Sequence, residues 1–158
     1  FALLIATGSY LGLRVSDLLE LSYNSILEHK EIEVTEKKTG KVRTILIHEE
    51  LKEIAIRIYK VSKSNKNSKL FLNRNKKVLS IQYINRKLKV IEQKYQLGIK
   101  LSTHSCRKTF GRRIWNRNNN SEKALIMLGS MFNHASVTTT KIYLGIKQQE
   151  ISNLYMSL

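Results

Sequence analysis

The chain has 158 residues, enough for one domain with a core of its own, and 42% of them are hydrophobic, which excludes a disordered tail. Lysine and arginine number 28 against 12 acidic residues, a net charge of +16 that favours a polyanionic partner and puts nucleic acid first. No apolar run reaches the length of a membrane-spanning helix, the basic residues are spread along the chain, and a single cysteine excludes an internal disulfide, so a reducing cytoplasm is expected and a membrane partner is not.

In chain order, "FALLIATGSYLG" reads as an apolar helix stopped by its glycines, and it opens without methionine, as a domain cut from a longer protein does. "SDLLELSYNSIL" reads as one short helix carrying Leu18, Leu19 and Leu21, with Ser16 as its cap. The pattern then changes to alternation. In "EIEVTEKKTGKVRTILI", Ile32 and Val34 alternate with Glu31, Glu33 and Thr35, a turn falls near Thr39 and Gly40, and Val42, Ile45 and Ile47 return on a second strand of a hairpin. Leu51, Ile54, Ile58 and Val61 recur at helical spacing up to the polar loop "KSNKNSK", and "LFLN" reads as a brief strand. From Ser80, Ile81, Ile84, Leu88, Ile91 and Tyr95 mark one face of a long helix whose other face holds Arg86, Lys87 and Lys89, placed to meet phosphates. "STHSCRKTFGRRIWNRNNN" and "SEKALIMLGSMF" form two further helices parted by an asparagine-rich turn, with Ser121 capping the second, and two short helices finish the chain. There are no internal repeats, no proline and no visible interior boundary, so the expectation is one mainly α domain with a small antiparallel β-sheet, an α+β fold.

Several chemistries are disfavoured by residue type. Asp17 is the sole aspartate, and the glutamates lie mainly in the hairpin and the helix after it, so the converging carboxylates of a two-metal nuclease are missing. Four scattered histidines and one cysteine do not make a zinc site, and no cofactor or metal is expected. Cys106 lies two residues from His104, off its helix face, and reads as a small core residue. His104 and Arg107, three apart, share a face and pair a proton carrier with a bidentate phosphate ligand, although in so basic a chain a chance match with a solvated arginine is the default. A lone Arg14 reads first as a surface charge or an ion-pair partner of Asp17, and Tyr143, between Ile142 and Leu144, as a packing residue with a polar edge. Trp115 and Phe110 read as core.

The order of the motifs carries more than any one of them. "LGLRVSDLLEL", the lysine hairpin "KKTGKVRTILI", "STHSCRKTF" and "NHASVTTTKIY", the last with a histidine nine residues ahead of a tyrosine, resemble the tyrosine recombinase or phage integrase family over nearly the whole chain. The resemblance implies that residues 1–158 form a recombinase catalytic domain, with a helical core-binding domain on its N-terminal side. It implies catalytic roles for Arg14 and Arg107 on the scissile phosphate, for His104 as general base or orienting group, for His134 as a hydrogen-bond donor, and for Tyr143 as nucleophile. Lys38 is the best match to the family's hairpin lysine and would protonate the leaving oxygen. Lys37 and Lys41 compete with it, and alternation along a strand excludes using all three. Two positions depart from the family pattern. Asp17 stands where glutamate is common, and Asn133 replaces the glycine usual before the second histidine, in a turn that asparagine tolerates in left-handed conformation.

By the same resemblance, double-stranded DNA is the partner, a homotetramer assembles on it, and the protein is DNA-associated in a prokaryotic cytoplasm. Ile151, Leu154 and Tyr155 would form a stripe that packs on a neighbouring protomer or on its own domain. A phenol with a pKa near 10 needs cations and a proton acceptor to attack phosphorus. Cleavage would leave a 3′-phosphotyrosyl linkage and a free 5′-hydroxyl, and a second DNA end would reverse it. Two rivals stay open at this point: a type IB topoisomerase, which rejoins the same ends, and a catalytically silent DNA-binding domain.

Overall fold

The structure is a computed structural model that describes residues 1–62 and 64–157, and of residues 147–149, 151 and 154 the backbone alone. It packs as two compact units, Phe1–Arg107 and Lys108–Leu158. The first holds helices α1 (Ala2–Leu11), α2 (Val15–Leu18), α3 (Tyr23–Leu27), α4 (Glu49–Ser62) and α5 (Ile81–Lys94), strands β1 (Glu31–Thr35) and β2 (Val42–Leu46), and the start of α6 (Thr103–Arg117). The second holds the rest of α6 with α7 (Glu122–Phe132), α8 (Val137–Leu144) and α9 (Ile146–Met156). The expected α+β class stands, with one two-stranded antiparallel sheet among the described residues.

In the first unit, Leu11, Leu51, Ala55 and Ile84 are wholly buried, with Leu3, Leu4, Leu18, Ile26 and Leu88 packed around them. Each large aliphatic side chain taken fully out of water stabilises the unit by about 1.5–3 kcal/mol. Helix α1 stops at Gly12, whose φ of 61° is left-handed, as the sequence predicts. Gly8 has another job. A Cβ there would lie 2.6 Å from the Cβ of Cys106, so the missing side chain lets α6 approach α1 closely. Cys106 is buried, and burial pushes its thiol up, in keeping with a core residue.

The stretch expected to be one helix capped by Ser16 is two. Arg14 is the N-cap residue of α2, without a side-chain cap bond, and Ser16 lies inside the helix with its hydroxyl on Asp17. Ser22 starts α3 in a reciprocal capping box with Ser25, each hydroxyl meeting the other residue's backbone N–H. The apolar run Leu18, Leu19, Leu21 hid this break. In the "LFLN" stretch Leu72 makes an isolated bridge to Val78, Lys69 just before it bridges Ser22, and no strand forms there among the described residues.

The hairpin pairs Glu31 with Leu46 through Thr35 with Val42. Ile32 and Val34 of β1 point inward, as alternation predicts. On β2 the inward positions are Arg43 and Ile45, so Val42 is 62% exposed, not a partner of Ile45 on one face. Residues 36–41 form the connecting turn, closed by hydrogen bonds from Gly40 N to Glu36 O and from Glu36 N to Lys41 O. Lys37, Lys38 and Lys41 therefore lie off the strands, and strand alternation does not sort them.

On α5, capped by Ser80, Ile84 and Leu88 are buried, whereas Ile81 and the terminal Tyr95 are exposed. Of the opposite face, Arg86 and Lys87 lie over the Tyr83 ring at 5.6 and 5.8 Å. In the second unit, Leu125, Leu128, Phe132, Leu144 and Ile146 form the core, with Phe110, Trp115 and Tyr143 packed against it. Left-handed Asn119 and Asn120 make the asparagine turn, and Ser121 caps α7. Tyr155 is exposed; the side chains of Ile151 and Leu154 lie outside the described residues. Among the described residues no helix is long and apolar enough to cross a membrane.

Candidate active site

Four of the six expected site residues, Arg14, Lys38, His104 and Arg107, belong to the first unit, and two, His134 and Tyr143, to the second. Arg14 and Arg107 meet on one loop. Arg107 is 3% exposed and its Nη1 donates to the carbonyl of Gly12 at 2.9 Å, two residues before Arg14. Arg14 itself is fixed at its backbone, where its carbonyl accepts from Asp17 N at 3.0 Å and Leu18 N at 2.9 Å. The left-handed Gly12 turn thus holds the Arg107 guanidinium and leads the chain into Arg14. His104 precedes Arg107 by one helical turn of α6 and is exposed where Arg107 is buried. The start of α6 is held by α5, with Asn85 Oδ1 accepting from Thr103 N at 3.0 Å and Glu92 Oε2 from Leu101 N at 2.8 Å.

Arg14 pairs with Glu36. Its Nη1 donates to Glu36 Oε2 at 2.6 Å, and Arg43 Nη1 donates to Glu36 Oε1 at 3.1 Å. Glu36 is fully buried, and its Oε2 also accepts from the Thr39 hydroxyl at 2.8 Å. Burial alone would raise this carboxyl, but the hydrogen bonds from Arg14, Thr39 and Arg43 outweigh it and bring the pKa down from 4.5 to about 2. Asp17, 1% exposed, turns instead to the hairpin, where its Oδ1 accepts from Lys37 N at 3.1 Å. Its Oδ2 is buried and has no hydrogen-bond partner among the described residues. The side chain of Lys37 is committed to Glu20, which Lys69 also meets; hydrogen bonds from the two lysines bring the Glu20 carboxyl down to about 2. Lys38, at the exposed tip of the turn, is in no ion pair among the described residues. That contrast favours Lys38 over Lys37 as the lysine available to a ligand.

In the second unit, α7 ends at Asn133, whose φ of 54° and ψ of 46° are left-handed. The asparagine takes the conformation that glycine would adopt. His134 follows, its N–H bonded to Gly129 O at 2.9 Å and its Nδ1 3.1 Å from Thr140 Oγ1. Thr140 is fully buried, and its hydroxyl reaches Ser136 O at 3.3 Å. The contact between Nδ1 and the buried Thr140 hydroxyl fixes the orientation of the ring, and if Thr140 donates to Nδ1 the Nε2–H is left as a donor. Ser136 caps α8 by accepting from Thr139 N at 3.1 Å.

Tyr143 sits in the last turn of α8. Its ring meets His134 edge-on at 5.1 Å and 70°, and Phe132 at 5.6 Å and 71°, while Lys108 Nζ lies 5.4 Å from its centroid. Its hydroxyl oxygen is shielded from solvent. Sequence reasoning missed Glu36, Thr140 and Lys108. Lys108 was within reach, directly after Arg107; the others carried no signal of their own, because their roles arise from partners brought near by folding.

Residues 2–150 match the model of the phage integrase family. The chain is 34% identical over 147 residues to the probable integrase/recombinase YoeC of Bacillus subtilis, a match covering 91% of this chain and 76% of that one. The chain belongs to the phage integrase family. Its fold is that of tyrosine recombinase catalytic domains. The crystal structure of XerA recombinase superposes with a TM-score of 0.70 at 24% identity, covering 98% of this chain and 56% of that one. The XerH recombinase bound to palindromic difH substrate, in a post-cleavage complex, superposes with a TM-score of 0.66 at 21% identity, covering 97% and 44%. The chain therefore spans about half the length of the proteins in those two structures.

Proposed function

We propose that this chain carries the catalytic part of a site-specific DNA recombinase, which cleaves and rejoins DNA through a covalent 3′-phosphotyrosyl intermediate on Tyr143. The observation that carries the reading is the second-unit pair: a tyrosine at the end of α8 packed edge-on against a histidine whose ring is fixed by a buried threonine. Family membership and a net charge of +16 support DNA as the partner, as do the DNA complexes of structurally similar recombinases.

In this account Arg14 and Arg107 hold the non-bridging oxygens of the scissile phosphate and stabilise the charge that builds on them in the transition state. The Tyr143 Oη attacks phosphorus and gives up its proton, with His104 as acceptor or orienting group. His134 donates a hydrogen bond to a phosphate oxygen. The bond from phosphorus to the 5′ oxygen breaks, and Lys38 Nζ protonates that oxygen as it leaves. A second DNA end reverses the step, so strand exchange conserves the phosphodiester. The full protein works as a tetramer on DNA, where four such sites act in turn.

A nicked duplex bearing the cognate site, from which the short cleaved strand diffuses away, tests the reading. Parent protein should accumulate on DNA covalently in the presence of EDTA, and Tyr143→Phe should bind as tightly yet form no adduct. Two partner sites supplied together should exchange strands. Relaxation of supercoils without exchange would move the assignment to a topoisomerase, and binding without adduct to a DNA-binding domain.

A further inference from the structure

Glu36 lies outside the set of residues that touch the phosphate in this account, yet it is the most heavily bonded carboxylate among the described residues. One oxygen takes Arg14 at 2.6 Å and the Thr39 hydroxyl at 2.8 Å, and the other takes Arg43 at 3.1 Å, all with the side chain fully buried. Its backbone closes the turn as well, with Glu36 O accepting from Gly40 N at 2.8 Å. Thr39 is the direct neighbour of Lys38, so the carboxylate that holds Arg14 also holds the peptide next to the lysine.

We infer that Glu36 is a positioning residue that ties two separate acts of the cleavage step together, setting Arg14 for transition-state charge and the turn at Lys38 for protonation of the leaving oxygen. The inference rests on the recombinase reading above. The physical reason is the sharing of one buried charge. A single anion between two guanidiniums cancels their mutual repulsion, and charge-assisted hydrogen bonds to its two oxygens fix donors from the N-cap of α2, the turn and β2 in one frame. With a neutral amide in its place, Arg14 and Arg43 face each other uncompensated, one amide oxygen has to serve three donors, and the amide N–H groups point at other donors. Arg14 and the Thr39 turn are then released together.

A duplex with sulfur in place of the bridging 5′ oxygen at the scissile phosphate separates the two acts, because a thiolate leaves without a proton. Single-turnover adduct formation should be measured on oxygen and sulfur substrates. Lys38→Ala should be slow on oxygen and near the parental rate on sulfur, and Arg14→Ala should be slow on both. Glu36→Gln should lose on the order of 100-fold or more on oxygen and regain part of that loss, not all, on sulfur. Thr39→Val, which removes one donor at the exposed side of the turn, guards against a Glu36 variant that fails to fold. It should be slowed on oxygen and fully restored by sulfur.

Parental rates for Thr39→Val on both substrates, or a Glu36→Gln loss equal on oxygen and sulfur, would overturn the coupling while leaving the recombinase assignment standing. Absence of adduct from the parent protein on either substrate would instead remove the assignment and the coupling with it.

Discussion

The buried Glu36 carboxylate makes a quantitative prediction about acid stability. Its pKa falls from 4.5 to about 2 on folding. At about 1.4 kcal/mol per pH unit of separation, the ionised side chain contributes on the order of 3 kcal/mol at neutral pH. A depressed carboxyl contributes fully above its unfolded value and loses that contribution as pH falls toward its folded value. The window is therefore from 4.5 down to about 2, and about 2 kcal/mol of the contribution should be gone by pH 3. Urea unfolding followed by far-UV circular dichroism, on the parent and on Glu36→Gln between pH 7 and pH 3, isolates the effect. Other titrating groups are shared by the two proteins and cancel in the difference, including Glu20, which is also depressed but solvent-screened. The variant should be less stable at pH 7, and the gap should close by about 2 kcal/mol at pH 3. A gap that is constant or widens over this range would refute the picture of a carboxylate held by Arg14, Arg43 and Thr39.

Three further outcomes are expected. Gly111→Ala would place a Cβ 2.6 Å from Leu144 Cδ2 and 3.1 Å from Phe132 Cε2. A thermal melt should show a loss of about 1–3 kcal/mol, and since Phe132 and Leu144 flank Tyr143, adduct formation should fall more than DNA binding. Asn133→Gly should match or exceed the parent in Tm, whereas Asn133→Ala should cost about 1–2 kcal/mol, because the left-handed turn at φ 54° suits glycine and asparagine. DNA affinity should fall steeply with salt, log K declining linearly with log salt as lysine and arginine contacts release counterions; a flat response in a fluorescence-anisotropy titration would contradict phosphate-dominated binding.

The parts of the fold that were legible in the sequence are those set by local chemistry. Alternating Ile32 and Val34 marked the first strand, Ser80 and Ser121 marked two helix starts, and Gly12 marked the end of α1, each through a hydrogen bond or a backbone angle decided within a few residues. Asn133 belongs with them, since its tolerance of a left-handed turn is a property of the residue itself. The split between α2 and α3 was legible too, in the Ser22 and Ser25 box, but the leucines around it drew the helix through the gap.

What stayed hidden depends on distance along the chain. Glu36 is 22 residues from Arg14, and nothing local distinguishes a glutamate that enters a hairpin turn from one that faces water. Arg43 occupies an inward position on β2 that an apolar residue would normally take, and only the buried carboxylate explains it. Thr140, one of three consecutive threonines, is singled out by the imidazole of His134. The residues expected to do chemistry were visible through the order of their motifs. The residues that hold them in place were not.

The claim that Tyr143 is the nucleophile is tested most directly by locating the covalent bond. Protein trapped on the nicked duplex in EDTA should be digested and its nucleotide-bearing peptide sequenced by mass spectrometry. The account predicts a 3′-phosphotyrosyl linkage on Tyr143, with no adduct from Tyr143→Phe and a slow residue of it from Arg14→Ala or Arg107→Ala. A nucleotide on Tyr10 or Tyr155, or adduct surviving in Tyr143→Phe, would contradict it.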